Sequence, residues 1–208
     1  MSSLNTVFLL LLLLLSGCSI NTAHEPPANY YYLNPNKDLS TVGRTALVEL
    51  TNDYSCPQIS ADVTEVLFQS LQKKQKFSLT VVRQNDPAWR SLQLDTSTTY
   101  TLEQLSTIRK TLRADAVLIG NITGFKPYPH MFIGLRLKLI DLYDGQLLWA
   151  LEQIWDTTDK TTEDRIKNYY THHIFAEDSL EEKLGTISSL KFIKFVAYET
   201  AEALQPKK

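Results

Sequence analysis

A chain of 208 residues with 43% hydrophobic and 21% charged residues has the makeup of an ordinary globular protein, which excludes the low-complexity and fibrous classes. Its formal net charge of −2 gives no electrostatic reason to bind nucleic acid or an anionic lipid surface. With only two cysteines, Cys18 and Cys56, a disulfide-stapled scaffold is excluded as well.

Val7–Leu15 is an unbroken apolar run of nine residues. A secretory core segment spans roughly 7 to 15 residues, whereas a membrane-crossing helix needs about 20. The preceding Met1–Thr6 has no Lys or Arg, so its only positive charge is the α-amino group. Leu15-Ser16-Gly17-Cys18 closes the run, and small residues before a cysteine resemble the lipobox of bacterial lipoproteins. The resemblance implies a signal peptide over 1–17, cleavage before Cys18, a diacylated thiol and an acylated new N-terminus. Ser19, where an inner-membrane retention signal places Asp, implies anchoring in the outer membrane on its periplasmic face. No cofactor is expected beyond this covalent lipid, and two or three acyl chains anchor stably where one does so marginally.

Ser19–Asn36 is rich in Asn, Thr, Ala and Pro and reads as a spacer, interrupted by Tyr30-Tyr31-Tyr32. The tyrosines either begin a strand, as aromatic clusters usually pack, or offer a partner surface. A lipidated tether is therefore expected over 18–40, followed by one domain over 41–208. A flexible tether of about 18 residues reaches about 20 to 25 Å.

Arg44–Leu50 is a β-rich run ended by Asn52-Asp53. Ser60 is expected to cap a helix carrying Val63, Val66, Leu67 and Leu71 on one face, with Lys73, Lys74 and Lys76 in its last turn. A strand over Ser78–Arg83 precedes a polar loop over Gln84–Thr99. Thr101 and Gln104 form a capping box for a helix with Leu102, Leu105, Ile108 and Leu112. Asp115–Gly120 is a central strand buried on both faces. Phe132–Leu142 and Gln146–Trp155 form a hairpin turning at Asp144-Gly145. In its first arm Leu135, Leu137 and Leu139 face one way while Arg136 and Lys138 face the other, so the sheet is covered on one face and locally wet on the other. Helix is expected over Glu163–Ile174 and Ser189–Leu204, the latter with a stripe of Leu190, Ile193, Val196 and Leu204. The order β-α-β-α-β-β-β-α is that of an α/β sandwich with a mixed sheet.

The stretches Ala114–Phe125 and Gly134–Trp149 carry a pattern of Ala-Asp, apolar residues and Gly, then an alternating strand ending in Asp, then Gly-x-x-apolar-Trp. This resembles the core of periplasmic lipoprotein domains related to CsgG, the N-terminal domain of TolB, and PelC, over Thr45–Trp155. The resemblance implies the fold; each motif position also has a folding role. Asp144-Gly145 makes the turn, Trp149 covers the sheet, and Gly120 admits a close backbone approach. A transmembrane barrel of the curli type takes two long hairpins per subunit. Only one is visible, with Arg136 and Lys138 ill-suited to lipid, so membrane spanning is not expected.

Candidate chemistry is sparse. His172-His173, adjacent on a helix, point about 100° apart and are poorly placed to share a metal ion. Cys56 lacks a neighbour that would lower its pKa. Asp53, Asp62, Asp115, Asp141, Asp144 and Glu152 share no motif, and no nucleophile elbow or phosphate loop is present. These residues call for no catalytic activity. The rigid loop Lys126-Pro127-Tyr128-Pro129-His130-Met131, with the loop Asp86–Ser97, is the candidate partner-binding surface. The expected role is a non-enzymatic assembly, export or envelope-scaffold component, with a protein partner and a homo-oligomeric ring as one form. The alternatives are a monomeric adaptor or regulator of an envelope enzyme, as in the lipoprotein activators of peptidoglycan synthases, and a ligand-binding or hydrolytic lipoprotein using His173 or Cys56.

Overall fold

The computed structural model describes residues 30–52, 57–92, 94, 96, 99–173 and 188–204, without the side chains of Pro57, His172 and His173. The strands are β1 (Tyr31–Leu33), β2 (Arg44–Val48), β3 (Thr51–Asn52), β4 (Ser78–Val82), β5 (Ala116–Lys126), β6 (Phe132–Asp141) and β7 (Leu147–Asp156). The helices are α1 (Pro57–Lys74), α2 (Pro87–Leu92), α3 (Leu102–Leu112), α4 (Lys160–His173) and α5 (Ser189–Glu202). They build the expected α/β architecture around one seven-stranded mixed sheet in the order β1-β7-β6-β5-β2-β4, with β3 also pairing to β5. β2 runs parallel to β4 and β5, while β5, β6, β7 and β1 are antiparallel in succession.

The two faces of the sheet are covered unequally. α1, α4 and α5 seal one face: Val63, Leu67 and Leu71 of α1, Ile166 of α4, and Phe192, Phe195 and Val196 of α5 meet Leu118, Leu135, Leu137, Leu139 and Trp149. On the opposite face a smaller core joins Trp89 and Leu92 of α2 and Leu105 and Ile108 of α3 to Ala46, Val48, Val82, Val117 and Ile119. That cover lies over β4, β2 and β5. The same face of β6, β7 and β1 carries Arg136, Lys138, Glu152, Ile154 and Tyr32, and there Ile154 and Tyr32 are exposed. Burying each large apolar side chain contributes roughly 1.5–3 kcal/mol, so the fully helix-covered face dominates stability.

Several local signals act as the residue types dictate. Thr101 accepts from Gln104 N while the Gln104 side chain accepts from Thr101 N, completing the capping box. Gly145 turns the β6–β7 hairpin at φ +73°, the left-handed region glycine enters freely. Gly120 sits where a Cβ would lie 2.8 Å from the Arg136 carbonyl oxygen and 2.9 Å from a Leu50 methyl.

Other expectations are corrected. The helix begins at Pro57, so Ser60 does not cap it; Ser60 is buried and its hydroxyl accepts from Asn52 Nδ2. The loop over 84–99 contains α2, begun by Asp86, whose carboxylate accepts from Ala88 N at 2.8 Å. β5 continues six residues past Gly120, through a bulge between Ile122 and Gly124. Leu190 is exposed, and Phe192 and Phe195 take its place in the buried stripe of α5. The tyrosines do begin a strand, as one reading of them expects: Tyr31–Leu33 pairs with β7 and Asn34 donates to Leu147 and Leu148, so only the spacer's expected end at Asn36 is corrected.

Gly120→Ala is expected to cost roughly 1–3 kcal/mol, since its new methyl must displace main chain. Chemical denaturation measures it, and an unchanged midpoint would contradict the close approach.

Candidate functional site

A concavity of about 560 Å³ lies on the half of the less covered sheet face that no described helix covers. Tyr30, Tyr32, Thr96, Arg136, Lys138 and Glu152 line it, with Ala150 at its floor. Strand alternation puts them there: the pairs Arg136↔Glu152, Lys138↔Ala150 and Ala150↔Tyr32 all project to one face. Arg136 donates to Glu152 at 2.5 Å; that bond lowers the Glu152 pKa and raises that of Arg136. Lys138 donates to the Thr96 carbonyl, while the Thr96 hydroxyl lies 3.3 Å from Asn121 Oδ1, fastening Thr96 along one wall. Tyr30, 72% exposed, and Tyr32, 45% exposed, form the other wall. Aromatic rings around a paired arginine and a lysine make a surface suited to protein recognition.

The expected loop lies elsewhere. Lys126, Pro127, Tyr128, Pro129 and His130 are exposed at the β5–β6 connection, with a cis Tyr128–Pro129 bond, and Tyr128 is 76% exposed. Met131 is corrected: it is buried in the main core, with its N–H bonded to Thr157 Oγ1 and its carbonyl to Thr157 N. Of the Asp86–Ser97 loop, Thr96 reaches the concavity and Trp89 serves the smaller core.

The carboxylates do not converge on an open site. Asp115, Asp141 and Asp144 gather at the hairpin end of the sheet, a grouping no sequence motif revealed. Lys37 bonds Asp141 at 3.1 Å and Asp144 at 2.9 Å. The Tyr143 hydroxyl donates to Asp115, under an Arg109 guanidinium 3.7 Å from its ring centre. Asp62 accepts from Gln58 on α1. Among the described residues no His, Cys, Asp or Glu cluster could hold a metal ion. His172 and His173 end α4, and Cys18, Cys56 and Asp53 lie outside the described residues.

One polar cluster that sequence reading passed over is buried. Glu199 of α5 accepts from the Trp155 indole N–H at 2.6 Å and from Arg165 Nε of α4 at 2.9 Å. Burial pushes its carboxyl up to about 7, against the opposing pull of Arg165 and the two hydrogen bonds. A raised carboxyl is a hallmark of acid–base catalysts. Here both oxygens are engaged, the residue is 2% exposed, and the open concavity lies on the other face, so its role is to join β7, α4 and α5.

Solved structures with this arrangement include a point variant of the PelC dodecamer from Paraburkholderia phytofirmans, 11% identical, covering 85% of this chain and 98% of that one with a TM-score of 0.52. A second crystal form of the same PelC gives 11% identity, 86% and 96% coverage and a TM-score of 0.50. LpoB from E. coli is 23% identical over 54% of this chain and 56% of its own, with a TM-score of 0.40. The PelC likeness is one of fold. No family model and no curated protein matches the chain.

The buried carboxyl gives a signed pH dependence. Its folded-state value of about 7 lies above the ordinary 4.5, so the folded protein holds an extra proton between the two. That contribution is fully present below the ordinary value and is lost as pH rises through about 7. Urea unfolding at about pH 5 and about pH 8 should show the native chain losing more stability than Glu199→Gln, by up to a few kcal/mol. Equal losses in both proteins would contradict the buried carboxyl.

Proposed function

We propose that this protein is a lipid-anchored component of the bacterial envelope that acts without catalysis. It would be tied through acylated Cys18 to the periplasmic face of the outer membrane and present the open half of its sheet to a protein partner. The observation that carries the partner reading is the sheet face that no described helix covers, where Tyr30 and Tyr32 stand exposed beside Arg136, Lys138 and Glu152. The anchor reading rests on the nine-residue apolar run closed by Leu15-Ser16-Gly17-Cys18. The non-catalytic reading is supported by internal pairing: the grouped carboxylates bond to Lys37 and Tyr143, Glu152 to Arg136, and Glu199 to Arg165.

The role is that of an assembly, scaffold or regulatory adaptor. The specific observation favouring a ring-forming scaffold is the PelC likeness, because that protein is described as a dodecamer and this chain covers nearly all of it. A monomeric adaptor would use the same open face on a different protein.

Cell fractionation tests the anchor: Cys18→Ala should move the protein from the membrane pellet to the soluble fraction, and unchanged retention would refute it. Light scattering on the acylated protein in mild detergent separates the two forms. A closed multimer supports the scaffold, and a monomer supports the adaptor.

A further inference from the structure

Where the chain enters the sheet sets which end of the domain lies nearest its anchor. Tyr30 is the first residue described, and its carbonyl accepts from Glu152 N at 3.1 Å. From there β1 runs antiparallel to β7, from Tyr31 opposite Leu151 to Leu33 opposite Trp149. The strap continues to the far end, where Asn34 holds Leu147 and Leu148 and Lys37 holds Asp141 and Asp144. The N-terminal end of β1 therefore points toward the opposite end of the sheet, which carries the Lys126–His130 connection. Phe132 opposite Asp156, and Met131 bonded to Thr157, place that connection at the end of β7. From Glu152 to Asp156 is four residues, about 13 Å of strand.

Eleven residues lie between Cys18 and Tyr30, a link of twelve Cα–Cα steps. Such a length spans at most about 40 Å. A bilayer at the far end of that link is within reach of the Lys126–His130 tip, while the Asp144–Gly145 hairpin lies farther from it. Residues 116 to 135 contain no Asp or Glu, and Lys126 and His130 flank Tyr128. Asp156, opposite Phe132, and Asp159 lie at this same end, each bonded to nearby threonines: Asp156 to Thr158, and Asp159 to Thr161 and Thr162. At the hairpin end Asp141 and Asp144 are paired with Lys37, and Asp115 with Arg109.

We infer that the Lys126–His130 tip rests on the bilayer surface, with Tyr128 seated among the lipid headgroups. Tyrosine suits that layer because its ring is apolar and its hydroxyl polar. Pro127 and Pro129 restrict the backbone on both sides of it, so little conformational freedom is lost on contact. Lys126 lies where lipid phosphates would meet it. This inference rests on the Cys18 anchor. It also stands the strands roughly along the membrane normal, so that the open sheet face looks sideways and is left free for a partner.

The test uses the acylated full chain with Cys56→Ser, on phosphatidylethanolamine vesicles containing a minor share of phosphatidylglycerol and brominated acyl chains. A bimane label is placed through Tyr128→Cys or, at the hairpin end, through Gln146→Cys; both positions are exposed. The expected result is quenching at position 128 by about twofold or more, as for a group at the headgroup–acyl boundary, with none at position 146. Equal quenching at both, quenching at 146 alone, or co-sedimentation with vesicles without quenching at 128 would overturn the inference while leaving the anchor intact. Failure of the acylated protein to co-sediment at all would remove the anchor, and the inference with it.

Discussion

The alternation along β6 constrains everything built around it. Leu135, Leu137 and Leu139 project to the face sealed by α1, α4 and α5, which commits Arg136 and Lys138 to the opposite face. A one-residue slip would bury two cations, so the register admits no easy alternative. Because α2 and α3 lie over the neighbouring strands, the two cations stay near solvent, and their partners Glu152 and the Thr96 carbonyl come from flanking elements. The concavity follows from this arrangement: half of one sheet face is held open by its own polar residues. A fully apolar face of that size would be an aggregation hazard in a monomer.

The covered face depends on a second device. α4 and α5 meet β7 through Trp155, Arg165 and Glu199, a buried polar cluster within an otherwise apolar layer. Burying an ion pair seldom adds much stability over apolar residues of similar volume, yet removing one partner leaves the other stranded. Trp149 adds a second indole tie to the end of α5 through the Ala203 carbonyl at 3.0 Å, and Lys74 binds Glu202. These directional bonds fix the C-terminal helix against β7 and α1, where apolar packing alone would permit sliding.

Much of the architecture is legible in the sequence because it depends on period and turn chemistry. The capping box at Thr101, the Asp144-Gly145 turn, the alternation of β6 and the doubly buried start of β5 are all local signals. What escapes is set by distant contacts. The tyrosines read as the start of a strand, but nothing near Tyr31 shows that its partner is Leu151 at the sheet edge. Glu199 looks like a surface residue of an amphipathic helix until Trp155 and Arg165, 44 and 34 residues away, come to its two oxygens. The concavity is half legible: Arg136, Lys138 and the tyrosines stand out in the sequence. Their meeting with Thr96 depends on bonds from Thr96 to Lys138 and Asn121 that no local pattern shows. Met131 shows the opposite error, a residue that looks like part of an exposed loop but is held inside by Thr157.

The central claim is that the open half of the sheet is the working surface. Site-specific photo-crosslinking in intact cells tests it most directly, with a benzophenone side chain placed at Tyr32, at Glu152, or at Lys194 on the exposed side of α5. The same discrete adduct should form from positions 32 and 152 and be absent from position 194. An adduct from position 194 with none from the open face would contradict the account.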